Sequence, residues 1–274
     1  MDYLVIGHIT SDKTKSGYQI GGTAAYAAKT AQILGHTPGI LTSCAINHLD
    51  LTEIASIPVF SPLNKSTTIF ENILVDHLRK QIIHEWAGPI SLEALPTEWL
   101  SPSIVHFGPV AREVDPGWVH QFSASYKGFT PQGIMRFWNK DGLVYRTPII
   151  PDGRILKEFN AIIFSIEDIA EDEDIIDAYA RDSQVLAVTE GRKGVRIYWQ
   201  GDMRYFSAPV VDEIDSTGAG DIFAAAFFIR HAQTKNPWEA ARFAVQVAAI
   251  SVTRTGLESI PTADEIKKLT LEIL

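Results

Sequence analysis

Asp215-Ser216-Thr217-Gly218-Ala219-Gly220-Asp221-Ile222-Phe223-Ala224-Ala225-Ala226-Phe227-Phe228 is the stretch that decides how this chain reads. Three small residues, Gly218 to Gly220, make a turn that opens directly into an apolar run of helical character. The first backbone N–H groups of a helix have no intrahelical partner and carry the positive end of its dipole. A turn without bulky side chains lets an anion approach them closely. Asp221 stands beside this nest, where it can take a proton from a hydroxyl attacking a seated phosphoryl group. An ordinary helix with an acidic first turn has the same composition, worth a few tenths to about 1 kcal/mol. The phosphoryl-transfer reading therefore needs the rest of the chain.

The chain has 274 residues, 46% of them hydrophobic, enough to bury a sizeable core. Its 24 basic and 33 acidic residues leave a formal charge of −9. That disfavours nucleic acid as a partner but not ATP, which a local nest can hold. The single cysteine, Cys44, excludes an internal disulfide and a multi-cysteine zinc site. Its apolar setting, Gly39 to Ala45, reads as a strand with an inert core thiol. Met1 to Gly7 lacks the basic and long apolar regions of a signal peptide, and no apolar stretch is long enough for a bilayer span. The expectation is a soluble cytoplasmic protein without a membrane partner. There is no G-x-x-x-x-G-K-[ST] loop and no G-x-S-x-G elbow, which argues against a P-loop kinase and an α/β hydrolase. The eight histidines show no H-x-x-x-H or H-E-x-x-H pattern, so structural or surface roles are expected of them.

Outward from the nest, the chain alternates strands and helices. Tyr3 to Ile9 is a continuous apolar run, a buried strand, followed by a polar stretch from Thr10 to Gly17. Gly21-Gly22 opens an alanine-rich helix to Leu34, and Gly39 to Ala45 gives the next strand. Ser66–Val75 and Leu78–Trp86 are rich in β-formers and read as a hairpin around Asp76-His77. Strands follow at 103–107, 161–165 and 185–189, with helices expected near 115–125 and from Glu167 to Tyr179. A second hairpin is expected around Gly201-Asp202. Helices close the chain at about 219–232, 237–254 and from 263, where Thr262 and Glu265 offer a capping box.

Asp215 to Asp221 closely resembles the C-terminal signature of the ribokinase/PfkB family of sugar kinases, usually written D-T-G-A-G-D. The resemblance runs from Gly7 through the C-terminal helices. It implies an α/β, ribokinase-like three-layer fold with a mostly parallel central sheet flanked by helices and a small β lid. Residues 1–274 would form one kinase domain, with lid segments at about 12–20 and 66–86. It further implies ATP as phosphoryl donor, Mg²⁺ as cofactor and a small sugar, polyol or nucleoside as alcohol acceptor. Asp221 would be the base, with Gly218, Ala219 and Gly220 the anion hole. Thr189-x-Gly191-x-x-Gly194 is alone an ordinary turn of small residues. In this company it resembles the family's nucleotide-binding turn, joined by Thr217 and by Ala248 and Ser251 of an adenine-side helix, residues that helix packing explains equally well.

On the acceptor side, Asp12 follows the first strand at the sheet's carboxyl end, where open α/β folds bind ligands. In the family an aspartate here grips substrate hydroxyls. Gly21-Gly22-Thr23-Ala24-Ala25-Tyr26 resembles the glycine pair usually written G-G-x-x-x-N, with Tyr26 in place of the asparagine. That departure weakens ribose and suits a ring-stacking or differently hydroxylated acceptor. Arg136, in Pro131-Gln132-Gly133-Ile134-Met135-Arg136, either meets a substrate anion through its planar fork or is a surface arginine. Ser165-x-x-Asp168 stands where the family has N-x-x-E, so Asp168 would reach Mg²⁺ through water, although an acidic helix start accounts for it too. Asp215 falls at a monovalent-cation position. Two outcomes stay open: an active small-molecule kinase, or a silent ligand-binding or regulatory relative. The 66–86 hairpin edge could likewise pair in a homodimer or stay a monomeric flap.

Overall fold

A computed structural model describes residues 1–15, 17–62, 65–75, 78–93 and 95–273 of the protein. Its centre is the strand Tyr3–Ile6, all four residues of which are buried. Tyr3 and Val5 belong to one apolar core, and Leu4 and Ile6 to another. Successive strand side chains point to opposite faces, so this strand must be covered on both sides, and helices do so. Gly22–Ile33, Ala219–Thr234 and Pro237–Ser251 pack on one face. The 3₁₀ turn Pro116–Gln121 and the helices Gly153–Leu156 and Glu173–Asp182 pack on the other.

The sheet has nine strands, in the order 202–207, 194–199, 185–189, 161–165, 126–129, 104–107, 3–6, 38–41 and 59–60. The seven from 185–189 to 59–60 run parallel, and the last two on the other edge are antiparallel. That antiparallel edge is the second hairpin read from the sequence. Gln200 and Gly201 both take positive φ at its turn, the geometry of the tightest hairpins. From Tyr3–Ile6 the chain first winds towards 38–41 and later returns to 104–107 on the other side. The strand order therefore switches there, and ligands of open α/β sheets bind beyond the carboxyl ends at such a point. The two strand ends nearly touch: a Cβ at Gly7 would overlap the Gly108 carbonyl.

A second sheet covers this edge, in the order Gly17–Gly21, Thr10–Thr14, Thr68–Val75 and Leu78–Glu85. The predicted hairpin is present, while its turn at Asp76-His77 lies outside the described residues, as does Ser16. The polar stretch from Thr10, expected within a lid segment at about 12–20, forms a strand pair, Thr10–Thr14 with Gly17–Gly21. Its residues lack an apolar alternation because only Thr10 of Thr10–Thr14 is buried, and the strand pairs on its other side with Thr68 to Glu71 of the distant hairpin. A further ribbon, Arg136–Trp138 with Val144–Arg146, joins this cover. The Ile83 N–H donates to the Gly142 carbonyl at 2.8 Å.

Other boundaries also differ from expectation. The first strand ends at Ile6. The strand after the first helix is Pro38–Leu41, so Cys44 sits in the bend beyond it, where burial pushes its thiol up to about 11; the inert thiol stands, the strand placement does not. The helix expected near 115–125 is a six-residue 3₁₀ turn. The acidic helix from Glu167 is broken by Ala170 and Glu171, both at positive φ. A 3₁₀ turn, Ile166–Ile169, precedes the break, and Glu173–Asp182, capped by Asp172, follows it. The helix read to 254 ends at Ser251. The capping box of the last helix, Ala263–Ile273, is present: Glu265 Oε2 accepts from the Thr262 N–H at 2.8 Å, and the Glu265 N–H donates to Thr262 Oγ1 at 3.3 Å.

Candidate active site

Helix Ala219–Thr234 is apolar nearly all round, with nine buried residues, and is held as an inner helix. Its start is fixed by Gly218 at φ 79°, a left-handed conformation that glycine takes without steric cost. A Cβ there would also overlap the ring of Tyr26. The Ala219 N–H is taken by the Ser216 carbonyl at 3.2 Å. Gly220 and Asp221 follow with N–H groups that precede the helical hydrogen-bond ladder. Gly220 is exposed, with nothing within 4 Å of its Cβ direction. Of the turn expected as an anion nest, Ala219 thus has its N–H already committed to Ser216.

Asp221 is the point where distant segments meet. Its Oδ1 accepts from Thr23 Oγ1 at 2.7 Å and from Gln132 Nε2 at 3.2 Å. Gln132 Nε2 also donates to Thr23 Oγ1 at 3.0 Å, and Arg136 Nη2 donates to Gln132 Oε1 at 2.7 Å. Burial pushes the Asp221 carboxyl up from 3.8 to about 6, with the Asp168 and Asp12 charges adding and the Thr23 hydrogen bond and Arg136 opposing. Protein surrounds the carboxylate on most sides, yet the residue keeps some contact with solvent. A partly exposed carboxylate with a raised pKa beside helix N–H groups is suited to general-base work near neutral pH.

The glycine pair is explained by what sits against it. A Cβ on Gly21 would strike the Asp12 carboxylate, and one on Gly22, at φ 85°, would strike the His8 carbonyl. Asp12 is held by Thr10 Oγ1 at 2.8 Å. Tyr26 is only 2% exposed. Its ring lies beneath Gly218, and burial, with the carboxylates Asp12, Asp221 and Asp215, holds its phenol well above the usual range. The structure therefore gives Tyr26 a supporting place under the nest. Arg136 donates to the Val110 carbonyl at 3.1 Å as well as to Gln132.

Three contributors were not singled out from the sequence. Thr23 stands inside the glycine-pair segment, and Gln132 inside the segment read for Arg136. Neither residue type signals a contact across so many positions. Glu113 is the third: its buried carboxylate accepts from the backbone N–H groups of His8, Val110 and Ala111 at 2.7–2.9 Å. It ties together the loops that leave the two central strands.

On the donor side, Thr189 ends its strand in register with Ser165 on the neighbouring one. Gly191 and Gly194 take φ values of 56° and 126°, and a Cβ on Gly194 would overlap the Phe206 carbonyl. Asp215 Oδ1 accepts from the Thr217 N–H at 2.9 Å. The N–H groups of Ile214 and Asp215 both donate to the Val252 carbonyl, fastening this loop to the end of helix Pro237–Ser251. The buried Ser251 hydroxyl donates to the Ala248 carbonyl at 2.8 Å, within its own helix. Asp168 closes a capping box with Ser165, its Oδ2 accepting from the Ser165 N–H at 3.1 Å, and its Oδ1 lies 3.4 Å from Arg146 Nε. Among the described residues no cluster of three His, Cys, Asp or Glu side chains could hold a metal. No helix among them is long and apolar enough to cross a membrane.

Residues 157–263 match the pfkB family carbohydrate kinase description. A ribokinase of Haemophilus influenzae is 34% identical over 122 residues, 43% of this chain and 39% of that protein. The chain thus spans about two fifths of that relative. A cytidine kinase of Thermococcus kodakarensis is 24% identical over 95% of this chain and 99% of its own length. Among solved structures, a pyrophosphate-dependent kinase in the ribokinase family superposes with a TM-score of 0.80 at 17% identity, covering 97% of this chain and 99% of the other.

Proposed function

We propose that this chain, whose residues 157–263 match the pfkB family carbohydrate kinase description and which has the ribokinase fold, moves the γ-phosphoryl group of ATP to a hydroxyl of a small sugar, polyol or nucleoside. The observation that carries this reading is Asp221 itself: a carboxylate pushed up to about 6, at the start of a buried helix, beside outward N–H groups. Asp221 takes the proton of the attacking hydroxyl. The Gly220 and Asp221 N–H groups stabilise charge on the transferring group. Asp12 faces the same site from the covering sheet and orients the acceptor. The covering strands at 10–21 and 68–85 exclude water that would compete for the phosphoryl group.

The residues present fit Mg²⁺ in one manner. Asp168 has its carboxylate committed to the Ser165 N–H and Arg146, so it would hold the ion through water. The remaining positions would fall to water and the donor's phosphate oxygens, as magnesium commonly allows. When bound, the ion supplies charge neutralisation of those phosphates. Asp215 is the candidate for a monovalent cation, and Thr189, Gly191, Gly194, Thr217, Ala248 and Ser251 are the candidates for the nucleotide. ADP release with Mg²⁺-ATP, measured across inositols, ribose, fructose, 2-keto-3-deoxygluconate and nucleosides, tests the reading. Strong stimulation by one acceptor, abolished in Asp221→Asn, supports it. A flat panel with ATP binding intact favours a silent ligand-binding relative.

A further inference from the structure

Both hydrogen bonds to the Asp221 carboxylate land on Oδ1, from Thr23 and from Gln132. Among the described residues, none is donated to Oδ2. The Gln132 amide has one acceptable orientation. Arginine can only donate, and Arg136 Nη2 lies 2.7 Å from Gln132 Oε1, so Nε2 must face Thr23 and Asp221. A flipped amide would set its NH₂ against the guanidinium and its carbonyl against the carboxylate, unfavourable at both ends.

The mounting of Gln132 is equally determined. It sits on the 3₁₀ turn Pro131–Met135, whose Gly133 leaves no room for a Cβ against the Pro109–Val110 backbone. Arg136 is anchored to the Val110 carbonyl and begins the ribbon that pairs with the covering sheet. Thr23 in turn packs its methyl against Gly108, where a Cβ would collide with it.

We propose that Gln132 is a positioning residue for phosphoryl transfer: held by Arg136, its amide and Thr23 together fix Oδ1 of Asp221 and present Oδ2 to the acceptor hydroxyl. This rests on the reading of Asp221 as base. The acceptor's proton passes to Oδ2 as its oxygen bonds to the γ-phosphorus. The bond from that phosphorus to the β,γ-bridging oxygen breaks, and its electron pair leaves with ADP. Arg136 acts through Gln132 and need not touch the acceptor.

The test is Gln132→Leu, with the isosteric Gln132→Glu as second variant should the first fail to fold. The titration of Asp221 is followed by carbon-13 NMR of its carboxyl, assigned with Asp221→Asn, a readout independent of turnover. The charged groups facing Asp221 are Arg136, Asp168 and Asp12, with the phenols of Tyr26 and Tyr3 beside them. Both substitutions leave all five in place. Losing a donor to the charged form moves the titration to higher pH in either variant, further in Gln132→Glu. With an active acceptor, kcat falls about 10- to 100-fold while the KM for ATP holds. An unchanged titration overturns the proposal, as does a raised acceptor KM at unchanged kcat, which would make Gln132 a substrate contact. A shifted titration in a protein that turns over no acceptor would remove the kinase reading and leave the positioning of Asp221 standing.

Discussion

Thr23 and Asp221, 198 positions apart in the chain, are joined by a hydrogen bond of 2.7 Å. The bond links the first turn of helix Gly22–Ile33 to the first turn of helix Ala219–Thr234. Two helix starts therefore converge beyond the carboxyl ends of the central strands. The glycine pair and the helix start at Gly218, which look like separate motifs in the sequence, are held against each other.

Turnover should follow the ionisation of Asp221. Because the base must be unprotonated and its carboxyl sits at about 6, kcat/KM should rise as pH passes upward through about 6 and level off above 7. Asp221→Asn should lose about 10²- to 10⁴-fold in kcat with ATP binding retained. Steady-state ADP release from pH 5 to 8 checks both. A flat profile, or an active Asn variant, would assign the base elsewhere.

The same ionisation predicts a stability change of opposite sense. Asp221 is raised in the folded state above its ordinary 3.8, so folding favours its protonated form. That contribution is present in full below the unfolded value and is lost as pH rises through about 6, leaving the charged group a liability at pH 7. Asp221→Asn should be more stable than wild type at pH 7, by about 1–2 kcal/mol once its partial exposure is allowed for. The gap should shrink at pH 4. Urea denaturation at the two pH values measures it, and an Asn variant less stable at pH 7 would contradict the burial argument.

The alternation of apolar runs made the parallel sheet and its flanking helices readable, because strands buried on both faces show continuous apolar sequence. Gly218 and Asp221 were readable because a helix start constrains its residues locally. Thr23, Gln132 and Glu113 were not. The contacts that place them at the site, to Asp221 and to His8, span 198, 89 and 105 positions, and a threonine or glutamine has ordinary uses anywhere on a surface. The pairing of Thr10–Thr14 was unreadable for a related reason, since its partners on one side are residues 68–71. Tyr26 was legible as a departure at a motif position; its place under Gly218 is visible only in three dimensions.

Asp168 should act on the pH profile in the direction opposite to Gln132. Its charge helps push the Asp221 carboxyl up, so Asp168→Asn should move the acid limb of kcat/KM to lower pH. The Asn side chain can still accept from the Ser165 N–H and preserve the capping geometry. If Asp168 reaches the ion through water, as proposed, Mg²⁺ half-saturation should rise by about tenfold. A Mg²⁺ titration of ADP release separates this from direct ligation, in which saturation would be lost altogether.

Gly218 and Tyr26 give the sharpest test of how the nest is built. Gly218→Ala places a side chain at φ 79°, costing about 1–2 kcal/mol for the left-handed backbone. It also drives a Cβ into the Tyr26 ring, and crowding of a packed core adds about 1–3 kcal/mol. The thermal midpoint should fall and turnover should fall further, because the Gly220 and Asp221 N–H groups move with the turn. Tyr26→Phe keeps the ring that supports Gly218 and removes only the phenol. If Tyr26 serves as the floor of the nest, the Phe variant should keep both its midpoint and the acceptor KM, whereas Tyr26→Ala should lose about 3–5 kcal/mol as a buried aromatic does. If Tyr26→Phe raises the acceptor KM with the midpoint unchanged, the hydroxyl contacts the acceptor, and the tyrosine takes over the substrate role of the asparagine it replaces.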